Sequence, residues 1–230
     1  MHRKLPSFLF YVTFLSGLLV FGFSPVHSNA QGMSSMFTQV GVPTNQFAAN
    51  LDGAAAFGFN MQHLRQLGDG PFSIGAGMNL MGYGGDCWDE YWSFGENVYD
   101  AEYSIENCVM DFEGRMRFTP QIPFPLQPYG EAFAGISTIS TSFVVSDRNI
   151  SDDCNNTLYE EILSRDIAPV YGVGFGLMVP ICRDGGMFLD LGATYRNSGT
   201  MTYMNDDFDQ VFNSRTDMWL VRVGLTVSTF

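Results

Sequence analysis

The 230 residues carry 11 lysines and arginines against 24 aspartates and glutamates, a formal charge of −13. So acidic a chain lacks the basic footprint of a nucleic-acid binder, and no nucleic-acid partner is expected. With 25 glycines and 15% aromatics it is rich in turn and strand formers, and its composition is not that of a disordered chain.

The first 30 residues have the layout of a secretory signal. Arg3 and Lys4 precede an apolar run from Phe8 to Phe23, and Ser28-Asn29-Ala30 forms a small-x-small cleavage site before Gln31. The run is shorter than the ~20 residues a spanning helix needs. Residues 1–30 are therefore expected to be a signal peptide and 31–230 a single domain. That domain holds nine arginines, no lysine and all 24 acids, for a formal charge of −15. It has no later apolar run of ~18 residues, so no helix is expected to span a membrane.

From Gln31 onward the pattern has period two, the signature of strands. Met36–Pro43 alternates loosely and leads into a polar connection through Asn45, Asn50 and Asp52-Gly53. In Ala54–Leu64, Phe57, Phe59, Met61 and His63 oppose Gly58, Asn60 and Gln62. After a short Asp69-Gly70 turn, Phe72–Tyr83 sets Ile74, Ala76, Met78 and Leu80 against Ser73, Gly75, Gly77 and Asn79. A long acidic, aromatic loop is expected over Asp86–Glu102, then a strand from about Tyr103 to Phe118. Its lower half is the clearest in the chain: Met110, Phe112, Gly114, Met116 and Phe118 share one face, and Asp111, Glu113, Arg115 and Arg117 the other.

A proline-bearing turn, Thr119–Gln127, precedes a strand over Pro128–Val145, in which Phe133 blurs the polar face beside Glu131. A second acidic loop, Asp147–Ser164, leads to Ala168–Ile181, where Tyr171, Val173, Phe175, Leu177 and Val179 oppose Gly172, Gly174 and Gly176. A short turn follows over Cys182–Gly186. Met187–Met204 begins with Leu189, Leu191 and Tyr195 against Asp190, Thr194 and Arg196. A third acidic loop, Asn205–Arg215, precedes Thr216–Phe230, where Trp219, Val221, Val223, Leu225 and Val227 oppose Arg222, Gly224 and Thr226.

These are eight strands with long and short connections in rotation, the pattern of an all-β, antiparallel, up-and-down transmembrane barrel. Large apolar side chains fall on one face of nearly every strand and glycine, small polar and charged residues on the other. The narrow lumen of such a barrel requires small or paired residues. Its inward face would carry four acids, Asp111, Glu113, Glu131 and Asp190, and four bases, Arg115, Arg117, Arg196 and Arg222. Buried charge persists only when paired, and arginine's planar fork suits dense carboxylate networks. A plug that stiffens the barrel is expected in preference to a gated pathway.

Fifteen acids fall in the long-side connections: Asp52, Asp86, Asp89, Glu90, Glu96, Asp100, Glu102, Asp147, Asp152, Asp153, Glu160, Glu161, Asp206, Asp207 and Asp209. A solvated, repulsive outer surface is expected in preference to divalent-cation binding, which carboxylate clusters suit but for which no run has the spacing of a calcium loop. Trp88, Tyr91, Trp92, Phe94 and Tyr99 lie among these acids as an interface girdle or adhesive patch. Of the four cysteines, Cys87 is expected to pair with Cys154 or Cys108, while Cys182 lies at the short-turn end. With no Cys-x-x-Cys and with His63 the only histidine after residue 30, neither a metal nor a cofactor is expected. That lone histidine on an apolar face, and the absence of a Gly-x-Ser-x-Gly motif, also argue against an enzyme.

The signal, the eight alternating segments and the aromatic ending resemble the small porin-like outer-membrane β-barrel family of Gram-negative bacteria, of the OmpA and OmpX type. The resemblance covers residues 31–230 as a pattern, and Leu126-Gln127-Pro128-Tyr129-Gly130 with Ala132 and Ala134-Gly135 resembles a strand start in such barrels. It implies outer-membrane lipid and the barrel-insertion machinery as partners, the latter reading Phe230 as an assembly signal. Phe230 departs from the usual pattern, because Trp219 to Val227 lie on the opposite parity. Two roles are expected to compete: a structural or surface-interaction barrel acting through its loops with an unidentified surface ligand, and a narrow porin-like channel.

Overall fold

The computed structural model describes residues 32–51, 53–85, 87–94, 97–122, 126–147, 157–182, 186–204 and 211–229; the side chains of 87–101, 147, 157–158 and 229 lie outside the described set. The signal expected over 1–30 and the terminal Phe230 also lie outside it. The elements are β1 (Gly32–Pro43), α1 (Asn45–Asn50), β2 (Ala56–Gln66), β3 (Phe72–Tyr83), β4 (Cys87–Phe94), β5 (Asn97–Phe118), β6 (Gln127–Asp147), β7 (Thr157–Pro180), β8 (Met187–Ser198), β9 (Thr200–Met204), β10 (Val211–Arg215) and β11 (Met218–Thr229).

Eight of these strands close on themselves in the order β3, β2, β1, β11, β8, β7, β6, β5, with β5 pairing back to β3, and every pairing is antiparallel. The stagger follows from the register. A circuit of directly paired residues runs from Ser137 through Asp111, Asn79, Asn60, Phe37, Gly224, Asp190 and Met178. It re-enters β6 at Gln127, ten residues below its start. With strands ~4.8 Å apart rising ~3.3 Å per residue, this offset tilts them by about 40°, so each residue climbs about 2.5 Å along the axis.

Strands β1, β2, β3, β8 and β11, with 11 or 12 residues, are therefore just long enough for the ~25 Å apolar band of an outer-membrane barrel. Outward side chains form that band: Met36, Val40, Phe57, Ile74, Phe112, Met116, Ile136, Val173, Phe175, Val221 and Val223 are all exposed. Tyr171, Tyr195 and Trp219 stand at its upper rim, the last two with ring centroids 4.9 Å apart, and Phe72 and Phe118 meet at 5.2 Å on the lower rim. The amphipathic Tyr and Trp rings of the upper rim are what a bilayer interface selects. An apolar exterior around a charged interior is the arrangement of a wall solvated by lipid. On the long strands this wall occupies residues 110–118, 128–138 and 169–179.

Strands β5, β6 and β7, of 22, 21 and 24 residues, continue about ten residues beyond the belt. The stretch expected as a loop over Asp86–Glu102 is instead a hairpin, β4 running back along the top of β5 from Cys87 opposite Ser104 to Phe94 opposite Asn97. The second acidic loop is shorter than expected, since β7 begins at Thr157; its residues 148–156 lie outside the described set. The strand expected over Met187–Met204 breaks at Gly199. Pro169 of β7 lacks the N–H that would extend the ladder past Val170–Ser198, although its carbonyl still accepts from Gly199 N at 2.7 Å. Beyond the break, β9 turns away and pairs with β10, which occupies part of the third expected loop. The polar connection after β1 holds the six-residue α1, entered through Asn45 at φ 55°.

Candidate functional site

The lumen is built by the inward parity of all eight strands, and the structure places Asp111, Glu113, Arg115, Arg117, Glu131, Asp190, Arg196 and Arg222 inside it, each at most 6% exposed. Two ion networks result. In the upper one, Arg196 grips Asp111 bidentately through Nε and Nη2, both at 2.8 Å. It also donates to Ser137 Oγ at 2.7 Å and to the Thr216 carbonyl at 2.6 Å. Asn79 donates to the same carboxylate at 2.8 Å and accepts from Gln39.

Glu131 is the hub of the lower network. Its two oxygens accept from Arg115 at 2.9 Å, Arg117 at 3.0 Å and Arg222 at 2.6 Å. Arg115 also donates to Glu113 at 2.8 Å and Gln62 at 3.2 Å. Arg117 reaches Asp190 at 3.4 Å, which accepts further from Tyr129 at 2.6 Å and Thr226 at 3.0 Å. The guanidinium planes are seated on rings: Arg117 over Tyr129 at 3.8 Å, Arg222 over Phe37 at 4.5 Å and Arg115 over Phe133 at 5.0 Å. Four acids and four bases, all buried, are thus held by charge-assisted hydrogen bonds and cation–π contacts.

Space for this furniture comes from the neighbouring strand. Phe133 and Tyr129 of β6 lie directly opposite Gly172 and Gly176 of β7. A Cβ at Gly172 would stand 2.5 Å from the Phe133 ring, and one at Gly176 2.3 Å from the Tyr129 ring. The glycines on β7 are therefore the sockets for the large inward side chains of β6. This resolves the irregular parity at Phe133, which points into the barrel at 5% exposure.

Above the upper network the lumen turns apolar. Ala56, Met81, Val109, Ile139, Ala168, Met218 and Leu220 pack under α1 and the β9–β10 hairpin. Phe47 of α1, fully buried, meets Tyr83 and Tyr203 edge-on, each at 5.4 Å. Asn50 fastens the helix by donating to Tyr203 Oη at 2.8 Å. A smaller apolar layer of Tyr129, Met178 and Phe188 closes the lower end. The described residues thus stack an apolar cap, two ion networks and an apolar floor.

The extramembrane sheet β4-β5-β6-β7 has the opposite charge balance. Above the belt its strands carry Asp89, Glu90, Asp100, Glu102, Glu106, Asp147, Glu160, Glu161 and Asp166 against one base, Arg165. Burial, and then the Glu160 carboxylate, raise the pKa of Glu106. Asp166 is lowered, because the backbone N–H groups of Thr202 and Ile167 donate to it; the Thr202 bond, 2.8 Å, ties β9 to β7. Tyr103 stacks on Phe143 at 5.9 Å.

Trp88, Tyr91, Trp92, Phe94 and Tyr99, expected in a loop, occupy strand positions; Trp88 is in register with Tyr103 and Trp92 with Tyr99, and the five side chains lie outside the described set. The Cys87–Cys154 pairing also falls outside it. Cys108 is a free thiol, so the alternative partner expected for Cys87 is not used; burial, then Glu106 and Asp111, push its pKa up to about 12, leaving it a neutral, unreactive group. Cys182 is likewise free and exposed at the short-turn end. His63 sits on the outer wall and shares a 2.9 Å hydrogen bond with Ser34.

Sequence reasoning missed Phe47, Tyr129, Phe37 and the β9–β10 hairpin as parts of the lumen. For Tyr129 and Phe37 the inward parity of their strands was an available signal.

No protein-family model and no curated protein matches the sequence. Among solved structures, the chain is similar to Neisserial surface protein A, with 13% identity, a TM-score of 0.45, and coverage of 87% of this chain and 97% of that one. It is similar to Ail, the attachment invasion locus protein of Yersinia pestis in complex with a heparin analogue, with 11% identity, a TM-score of 0.43, and coverage of 88% and 100%. It is also similar to the outer membrane protein OprG from Pseudomonas aeruginosa, with 10% identity, a TM-score of 0.39, and coverage of 88% and 97%. The barrel assignment rests on the closed strand pairing rather than on these likenesses.

Proposed function

We propose that this chain is a non-enzymatic protein of the bacterial outer membrane whose barrel is a closed, rigid anchor and whose acidic sheet is a surface for interaction with partners. The observation that carries this reading is the filled lumen, in which Arg117, between Glu131 and Asp190, and Arg196, on Asp111, are fully buried beneath an apolar cap. A solute would have to break charge pairs that are shut off from bulk solvent, and removing one partner of a buried pair costs ~3–5 kcal/mol. Function then lies with the extramembrane elements, where exposed strands and connections meet water and other molecules. Export, and insertion by the barrel-assembly machinery, belong to the same reading.

Planar-bilayer recording of the refolded protein tests it. The expected outcome is a bilayer without steady open currents. Steady conductance would replace this reading with the narrow channel.

A further inference from the structure

The outward face of the belt carries charge in one place. Read downward, β2 presents Phe57, Phe59 and Met61 to the lipid and then His63 and Arg65, both exposed. Among the described residues these two are the only basic side chains on the outward parity between the rims, and no acid shares that face with them. Ser34 of β1 stands directly opposite His63, its Oγ 2.9 Å from His63 Nδ1.

Their depth follows from the register. Arg65 pairs with Ile74, two residues above Phe72. With a tilt of about 40°, a residue of β2 lies ~3 Å nearer the lower end than its partner on β3. Arg65 is therefore level with the Phe72–Phe118 edge, and His63 stands ~5 Å above it. Charge on a lipid-facing wall is costly at the midplane and tolerated near the interface, and the short-turn end of such a barrel is the periplasmic one. The pair thus sits where the headgroups of the periplasmic leaflet meet the acyl chains.

The chemistry at that depth favours a phosphodiester. Two side chains two residues apart on one strand rise from Cα atoms ~6.6 Å apart on the same face, close enough to converge on one anion. The guanidinium fork of Arg65 matches a pair of phosphate oxygens. With Nδ1 turned to Ser34, the imidazole meets the lipid through Nε2. A phosphate oxygen there selects the tautomer in which the Ser34 hydroxyl donates to Nδ1 and Nε2 carries the proton. Met36 and Leu225, exposed and in register, continue the wall above as a seat for the chains.

We propose that Ser34, His63 and Arg65 form a binding site for the phosphodiester of an anionic phospholipid in the periplasmic leaflet. The arginine charge, with no acid beside it on this face, selects a net-negative headgroup over a zwitterionic one. The site rests on the anchor reading only in requiring that this wall face lipid.

The test uses the full chain in phosphatidylcholine nanodiscs with increasing phosphatidylglycerol, read by the NMR signal of the His63 imidazole, which is assigned by its loss in His63→Gln. A saturable shift is expected. Arg65→Gln should weaken it about tenfold, the scale of one charge-assisted hydrogen bond. Ser34→Ala, which keeps the charge and frees the ring, should weaken it about threefold, the scale of one neutral hydrogen bond. An equal shift with oleate at the same lipid charge would show a response to surface charge alone, and one with inorganic phosphate in pure phosphatidylcholine would assign the site to a free anion. Either result, an unsaturating shift, or undiminished binding by Arg65→Gln would overturn the proposal. A barrel that stays electrically closed while His63 ignores phosphatidylglycerol retains the anchor reading and loses this site.

Discussion

The lumen and the extramembrane sheet are made partly from the same strands, β5, β6 and β7, yet they treat charge in opposite ways. Inside the belt, four acids meet four arginines and each carboxylate has a guanidinium partner. Above it, acids outnumber bases nine to one. The difference lies in the solvent. In dry surroundings an unpaired charge is prohibitive, so composition there is forced toward neutrality and fixed geometry. In water the repulsion is screened within ~8–10 Å, and surplus charge is free to serve recognition.

The largest effect that breaks this contrast is removal of the lumen's hub. Glu131→Ala would leave Arg222 without a carboxylate, and Arg115 and Arg117 with one each, Glu113 and Asp190, and should cost ~3–5 kcal/mol in urea unfolding from lipid vesicles. An unchanged unfolding midpoint would mean that the lumen is wetted and that the two regions do not differ. A smaller loss is expected from Gly172→Ala, whose new methyl would press on the Phe133 ring and on the Tyr195 carbonyl. Overpacking of this kind costs ~1–3 kcal/mol, and an additional Phe133→Leu change should recover part of it in the same assay.

The smallest effect sharpens the contrast from the other side. The Glu106 carboxyl has a folded pKa above its ordinary value, so its ionised form weighs against the folded state. Its contribution to stability therefore improves as pH falls through the raised pKa toward the unfolded one. Glu106→Gln should abolish that increment and raise stability at neutral pH by roughly 0.5 kcal/mol or less, the scale of a part-exposed charge pair. The measurement is the difference between wild-type and variant thermal midpoints from pH 7 down to pH 5. A difference that does not shrink over this range would show that burial and the neighbouring Glu160 do not raise the Glu106 carboxyl.

Much of the barrel was legible because lipid and lumen impose opposite demands on alternate residues. In 110–118 and 218–227 the parity alone assigns Arg115, Arg117 and Arg222 to one face and Phe112, Met116 and Val223 to the other. The cap was not legible, since α1 is a six-residue element with one large apolar side chain, Phe47, and no periodicity to read. Nor was the fit of Phe133, whose inward direction depends on Gly172 in a different strand. The β4 hairpin escaped because both parities of 87–94 mix aromatic and polar residues, as a strand with no lipid on either face is free to do. The break at Gly199 depends on Pro169 in the strand beside it, a constraint that acts across the sheet and leaves no mark in the local pattern.

The ten-residue stagger of the barrel reaches beyond the membrane. Strands leaning by about 40° travel sideways as they climb, and ten further residues carry their tips roughly 20 Å laterally for every 25 Å of height. That offset exceeds the ~16 Å backbone diameter of an eight-stranded cylinder with this tilt. It runs around the barrel axis, so the upper ends of β5, β6 and β7 stand displaced around the rim from the points at which the same strands enter the wall.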